Sequence, residues 1–206
     1  MKNRNRKEYC LKLWSFFLLI TLGSISAFSQ KVDYNQGSVV QTNFYSEMPY
    51  ESINGKIIIT AELGGKKRRF LIDTGSLCAI TEVLQSEMKY PILTESTVRD
   101  INEQSTVLKY IALDKFQFAN TEFNRIPAVV FPQNILSDCF KIDGILGSNL
   151  FRLGLLQFNS QKKTIIFTGE RSKLNLEGKP KDELKLDEQS GPHIRVDLAN
   201  GIQDEA

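Results

Sequence analysis

Phe70-Leu71-Ile72-Asp73-Thr74-Gly75-Ser76 is the stretch on which the fold turns. Three apolar residues run straight into a carboxylate, and the Thr and Gly behind it suit a tight turn that would hold the carboxylate at a strand's end. Alone, Asp-Thr-Gly equally describes a type I turn after a buried strand. A second stretch, about seventy residues on, reads Ile142-Asp143-Gly144-Ile145-Leu146-Gly147-Ser148-Asn149-Leu150-Phe151. It sets an apolar pair between two glycines and then enters a short helix, with Ser148 the expected N-cap. Gly147, lacking a Cβ, would let another backbone come very close.

Outward from these two stretches the chain reads as short β-like runs punctuated by turn residues. Lys56 to Leu63 (KIIITAEL) is β-branched, Gly64-Gly65-Lys66 is a hairpin signal, and Arg68 to Ile72 is the returning strand. Further strands are expected at Ala79 to Val83, Val107 to Ile111, Lys115 to Phe118, Ile126 to Phe131, Leu155 to Phe158 and Thr164 to Phe167. Helical periodicity is weak outside Ser148 to Leu153. Many short strands with one short helix define a mainly β chain, a closed barrel or folded sheet, with Ile57, Ile59, Phe70, Ile72, Ile145, Leu146 and Phe167 expected in its core.

In this order and at this distance, the two stretches resemble the retropepsin-like aspartic proteases of the pepsin clan. The resemblance covers about residues 53 to 168. It implies that Leu71-Ile72-Asp73-Thr74-Gly75-Ser76 is the catalytic loop and that Ile145-Leu146-Gly147 is a strand threading past it before a helix. By this resemblance Asp73, Thr74 and Gly75 are the catalytic residues, supported by Ser76, Ile145, Leu146 and Gly147. Thr74 would bond to its twin in a second loop, and Ser76 would donate to the carboxylate. The substrate would be a peptide or protein, with no metal and no cofactor. Two departures stand out. The best flap candidate, Val98 to Val107, contains no Gly, and only one Asp-Thr-Gly is present.

That single motif matters chemically. Hydrolysis of a peptide by water needs a base and an acid together, and one carboxyl cannot hold both roles at once. Two carboxyls sharing one proton can, because neighbouring like charges split their titrations. Asp143 lacks a following Thr and Ser and is expected to cap a core strand. The second carboxylate is therefore expected from Asp73 of a homodimer partner, or from a second lobe. The run Gly191 to Gly201 repeats the apolar alternation of Gly55 to Gly65, as a second copy of the first hairpin would, and it breaks off soon after. The alternative reading is a non-catalytic binding or dimerisation module on the same fold.

Composition narrows the field further. The 206 residues include 26 Lys and Arg against 24 Asp and Glu. Lys2, Arg4, Arg6, Lys7 and Lys12 sit in the first dozen residues against Glu8 alone, so the remainder is slightly acidic and offers no case for a nucleic-acid partner. Lys66-Lys67-Arg68-Arg69 reads as a solvated hairpin face, without the aromatic interleaving of single-strand binding. One histidine, His193, in a polar tail leaves little room for a serine or cysteine triad.

The basic start, the short apolar run Leu13 to Leu22 and the small residues Ala27 and Ser29 before Gln30 read as a secretory signal peptide, too short for an ordinary membrane span. The expected product is periplasmic or secreted and has no stable span. Cys10 would leave with the peptide, and whether Cys78 and Cys139 are bridged stays open. The expected organisation is a signal peptide over 1–29, a polar extension over 30–54, the protease-like lobe over 55–168, a polar linker over 169–191, and the start of a second lobe over 192–206.

Overall fold

The computed structural model describes residues 32–99, 103, 105–178, 183–188, 190–197 and 203–205. The signal-peptide reading therefore lies outside the described residues, as do Asp100, Ile101, Asn102 and Gln104 of the expected flap. In chain order the elements are β1 (Ser38–Val39), β2 (Tyr45–Pro49), β3 (Glu51–Ile53), β4 (Lys56–Leu63), β5 (Lys66–Asp73), β6 (Ala79–Thr81) and α1 (Glu82–Met88). They continue with β7 (Thr94–Arg99), β8 (Ser105–Leu113), β9 (Phe116–Phe118), β10 (Thr121–Asn124), β11 (Ile126–Phe131) and α2 (Ile135–Phe140). Then come β12 (Gly144–Gly147), α3 (Ser148–Phe151), β13 (Leu155–Asn159), β14 (Thr164–Thr168), β15 (Leu184–Leu186), β16 (Pro192–Asp197) and β17 (Gln203–Glu205).

A curled sheet runs in the order β1-β10-β9-β4-β5-β12-β6-β11-β8-β7, with β3 also pairing β4. Its centre is made by strands that hairpins alone could not bring together. β12 runs parallel to β5 and antiparallel to β6, and β6 runs parallel to β11. The chain is mainly β, with its large sheet curled into a half-barrel, as the sequence implied. A second sheet, β13-β14-β2, closes over the core. Residues 38–53, expected as an extension, supply β1, β2 and β3, each paired to a strand of the lobe.

β15, β16 and β17 form an antiparallel meander with the same pairing order as β3, β4 and β5. Within the alternation shared by residues 55–65 and 191–201, β4 spans Lys56–Leu63 and β16 spans Pro192–Asp197.

Phe167 on β14 anchors the main core. Its ring lies 5.2 Å from Phe44, 5.9 Å from Phe118, 5.7 Å from Phe123 and 5.9 Å from Phe151, centroid to centroid. Such offset and edge-on aromatic pairs add to the stabilisation from burial alone. Ile58, Leu71 and Ile142 form a separate buried cluster. Ile58 and Ile59 are therefore both buried, because β4 is covered on both faces. Of the expected core residues, Ile59, Phe70, Leu146 and Phe167 are buried, whereas Ile57, Ile72 and Ile145 are only half-buried at the cluster margins.

The expected single helix becomes three among the described residues. The strand expected to Val83 stops at Thr81, whose Oγ1 accepts from Leu84 N at 3.2 Å and caps α1. Only Leu84 of that helix is buried, so the apolar periodicity that marks a helix is missing. α2 starts on an exchange between Asn134 and Ser137: each backbone N–H donates to the other's side chain, at 3.0 and 3.1 Å.

Lys66 and Lys67 are exposed, as expected of a solvated face, but Arg68 and Arg69 are half-buried and paired. Lys66 Nζ lies 2.6 Å and Arg68 Nη2 2.7 Å from the Glu87 carboxylate, tying α1 to the first hairpin. Arg69 grips Glu51 with both Nη atoms, at 2.5 and 3.2 Å. Hydrogen bonds from Lys66 and Arg68 hold Glu87 below its ordinary 4.5, and the bond from Arg69 does the same for Glu51. A carboxylate with a depressed folded pKa stabilises the fold above its unfolded pKa, and that contribution is lost as pH falls through the folded value. The melting temperature should therefore drop below pH 4.5 more steeply in the parent chain than in an E51Q/E87Q double variant. Parallel curves from pH 6 to 3 would contradict these assignments.

Candidate active site

Asp73 ends β5 and is exposed, as are Thr74 and Gly75. The loop closes on itself: Ser76 N donates to Asp73 O at 3.2 Å, and Gly75 N donates to Asp73 Oδ1 at 3.1 Å. One carboxylate oxygen is thus fixed by a backbone donor. The expected bond from Ser76 to the carboxylate is not the one formed. Ser76 Oγ donates instead to the backbone oxygens of Asp73 and Leu77, both at 3.2 Å, because a hydroxyl three residues on reaches the turn's own carbonyl.

The loop is clamped from below by the second stretch. Parallel pairing sets Ile145 beside Leu71, Leu146 beside Ile72 and Gly147 beside Asp73. A Cβ on Gly147 would lie 2.2 Å from Ser76 O and 2.3 Å from Leu77 C, so only glycine fits. Gly144 is equally constrained, its Cβ position 2.3 Å from Ala79 O. The N-cap of α3 is Gly147, with no side-chain cap, so Ser148 does not cap as expected. Ser148 is the first helical residue and turns on the loop: its N at 2.8 Å and its Oγ at 3.1 Å both donate to Ser76 O.

Asn149, not singled out from sequence, completes the clamp. Fully buried, it accepts from Cys78 N at 2.8 Å and donates to Pro127 O at 2.7 Å, joining the loop, α3 and β11. The available signal was a polar residue inside the otherwise apolar helix entry Asn149-Leu150-Phe151. Cys78 lies beneath the loop, its Sγ accepting from Gly147 N at 3.2 Å. Burial pushes its thiol pKa up to about 12, so it stays protonated. Cys78 is buried and Cys139 exposed, and both are free thiols.

Asp143 sits elsewhere. Gly144 pairs with Phe70, so Asp143 stands beside Arg69, four residues and roughly 13 Å of strand from Asp73. Its Oδ2 accepts from Arg69 N at 2.8 Å, and its N donates to Arg69 O at 2.8 Å. Arg68 Nη1 lies 3.9 Å from its Oδ1. These partners fasten the entry to β12, and the separation is too long for a shared proton. His193 contacts Asp187 at 3.3 Å in the C-terminal meander. Among the described residues, no group of three or more His, Cys, Asp or Glu could hold a metal ion, and no helix is long and apolar enough to cross a membrane.

A carboxylate fixed at the end of one strand, with an apolar-apolar-Gly strand threaded beneath it, defines a class. Residues 59–150 match the family model described as aspartyl protease. Among solved structures the chain is similar to a retropepsin-like aspartic protease from Rickettsia conorii. The identity is 18%, the TM-score 0.46, and the match covers 62% of this chain and 94% of that one. A search of curated proteins finds no match.

The clamp predicts a contrast between two glycines. Gly147→Ala drives a methyl into backbone and should cost about 3 kcal/mol or more. Gly75→Ala meets only Asp73 Oδ1, at 3.5 Å, and should leave the denaturation midpoint nearly unchanged. Equal midpoints for the two variants would contradict the clamp.

Proposed function

We propose that the chain is an exported aspartic endopeptidase whose active unit brings together two copies of the Asp73 loop. The observation that carries this reading is the Asp73 carboxylate itself, exposed at the strand end and held by Gly75 N over a floor built from Gly147, Ser148 and Asn149. The aspartyl protease match over residues 59–150 supports it.

With two such carboxyls facing one another, one accepts a proton from water as the water attacks the peptide carbonyl carbon. The other donates its proton to the carbonyl oxygen. As the tetrahedral species collapses and the carbon–nitrogen bond breaks, the proton taken from water passes to the leaving amine and a hydroxyl proton of the diol returns to the second carboxyl, restoring the pair. Thr74, exposed beside each Asp73, would bond to its counterpart and fix the spacing of the loops. Export rests on the basic start and short apolar run, and an intact mass beginning at Gln30 is its test. A second reading, a non-catalytic dimerisation module on the same fold, is favoured by the single Asp-Thr-Gly.

Purified chain given a denatured protein substrate between pH 3 and 7 should show a bell-shaped rate, both limbs belonging to the pair of carboxyls. Asp73→Asn, nearly isosteric, should abolish cleavage while leaving the melting temperature within a few degrees. Asp143→Asn should keep most of the rate but lower stability, because Asp143 bonds the β5 backbone. Cleavage that survives Asp73→Asn would refute the proposal; a folded parent chain inert throughout would favour the non-catalytic module.

A further inference from the structure

Residues 33–41 touch several separate parts of the lobe. Their path is set by a turn: Asn35 N donates to Asp33 Oδ1 at 2.9 Å and Gln36 N to Asp33 O at 3.2 Å. Gly37 follows at φ +102°, and a Cβ there would meet Ile126 Cδ1 at 2.6 Å. Past the turn the segment is fastened to β10. Besides the β1 pairing, Val40 N donates to Glu122 O at 2.9 Å, and Glu122 N to Gln41 Oε1 at 3.0 Å.

Three side-chain contacts leave this turn in different directions. The Tyr34 ring stands 5.9 Å from that of Tyr110, tilted by 56°. Tyr110 faces Thr94 across the β7–β8 hairpin, and its hydroxyl accepts from Ser96 Oγ at 3.1 Å. Tyr34 thus touches a group that already joins both strands of the hairpin. Burial, and then the hydrogen bond with Tyr110, push the Tyr34 phenol up to about 12, keeping it a neutral hydroxyl. In the second direction, Arg152, just after α3, donates through Nη2 to Asn35 O and, at 2.9 Å, to Gln36 O. In the third, Asn35 Nδ2 donates to Glu188 O at 3.1 Å, and Ser190 Oγ bonds Asn35 Oδ1.

β7 needs such support. Among the described residues it is an edge strand paired to β8 alone, and apart from Thr94 and Ser96 its residues are exposed. Through the bonds named here, Arg152 and Ser190 connect to the hairpin by way of Asn35, Gln36 and Tyr34.

We propose that residues 33–41 form a latch that fixes the base of the β7–β8 hairpin through Tyr34 and is itself set from the far side by Arg152 and Ser190. The functional consequence rests on the endopeptidase reading, in which this hairpin is the flap expected from the resemblance and Tyr34 a positioning residue. Whatever displaces the C-terminal meander or the segment before Asp33 would then alter how firmly the hairpin is held.

Hydrogen exchange of the full chain tests this without any need for catalysis. Tyr34→Phe keeps the ring contact and loses the hydroxyl. Arg152→Met keeps the apolar stem and releases the latch at a point remote from the hairpin. Each should speed exchange of the β7 amides about three- to tenfold, the scale of one hydrogen bond, with β4, β5, β13 and β14 unchanged. In an active preparation both should raise KM more than they lower kcat. Unchanged β7 exchange in Tyr34→Phe, or equal acceleration across all strands in both variants, would overturn the latch. A chain without peptidase activity whose β7 loosens as described would sustain the latch and remove only its link to catalysis.

Discussion

The structure depends on one backbone-on-backbone contact, where residues 76–78 lie against Gly147 at a distance that leaves no room for a single methyl. Everything that positions Asp73 follows from it. β12 can run parallel to β5 only if its last residue slides under the loop, and α3 can begin only where Ser148 finds the carbonyl of Ser76. Buried Asn149 then joins loop, helix and β11 through two hydrogen bonds, in surroundings where an unmet polar group would be expensive. The carboxylate stands in solvent while the backbone beneath it is held on every side. That combination of an exposed reactive group and a fixed base is what general acid–base chemistry requires.

Most of this was legible in the sequence where a residue type had no substitute. Asp-Thr-Gly at the end of an apolar strand marks a turn, and Ile-Leu-Gly before a helix carries a constraint that glycine alone meets at Gly147, so their pairing was readable at a distance of seventy residues. The strands at 56–63 and 126–131 were readable because β-branched runs between turn residues have few other uses. Three kinds of feature were hidden. The helix over 82–88 buries one side chain, Leu84, so no periodicity marks it. The strands over 38–53 are polar and short, and tertiary pairing with β4, β10 and β14 makes them strands. Ser76 and Ser148 were given side-chain roles that the loop's backbone pre-empts, since each hydroxyl donates to a carbonyl of the loop instead.

On the endopeptidase reading proposed above, the Asp73 loop is half of an acid–base pair and a second copy of the loop supplies the other half. Asp143, the other carboxylate weighed from the sequence, is bound to the backbone of β5 at the far end of the shared strand pair. The loop end, by contrast, is exposed at the three consecutive residues Asp73, Thr74 and Gly75. In an isologous contact each copy offers the other the same surface, and a single motif then supplies two carboxyls.

The most direct measurement is specific peptidase activity across a wide dilution series, repeated with a growing excess of the Asp73→Asn chain. The account predicts that activity per chain falls on dilution as pairs dissociate. It also predicts that the variant extinguishes parent activity in proportion to the mixed pairs formed, since each holds one carboxyl. Activity per chain that is constant on dilution and indifferent to the variant would contradict it.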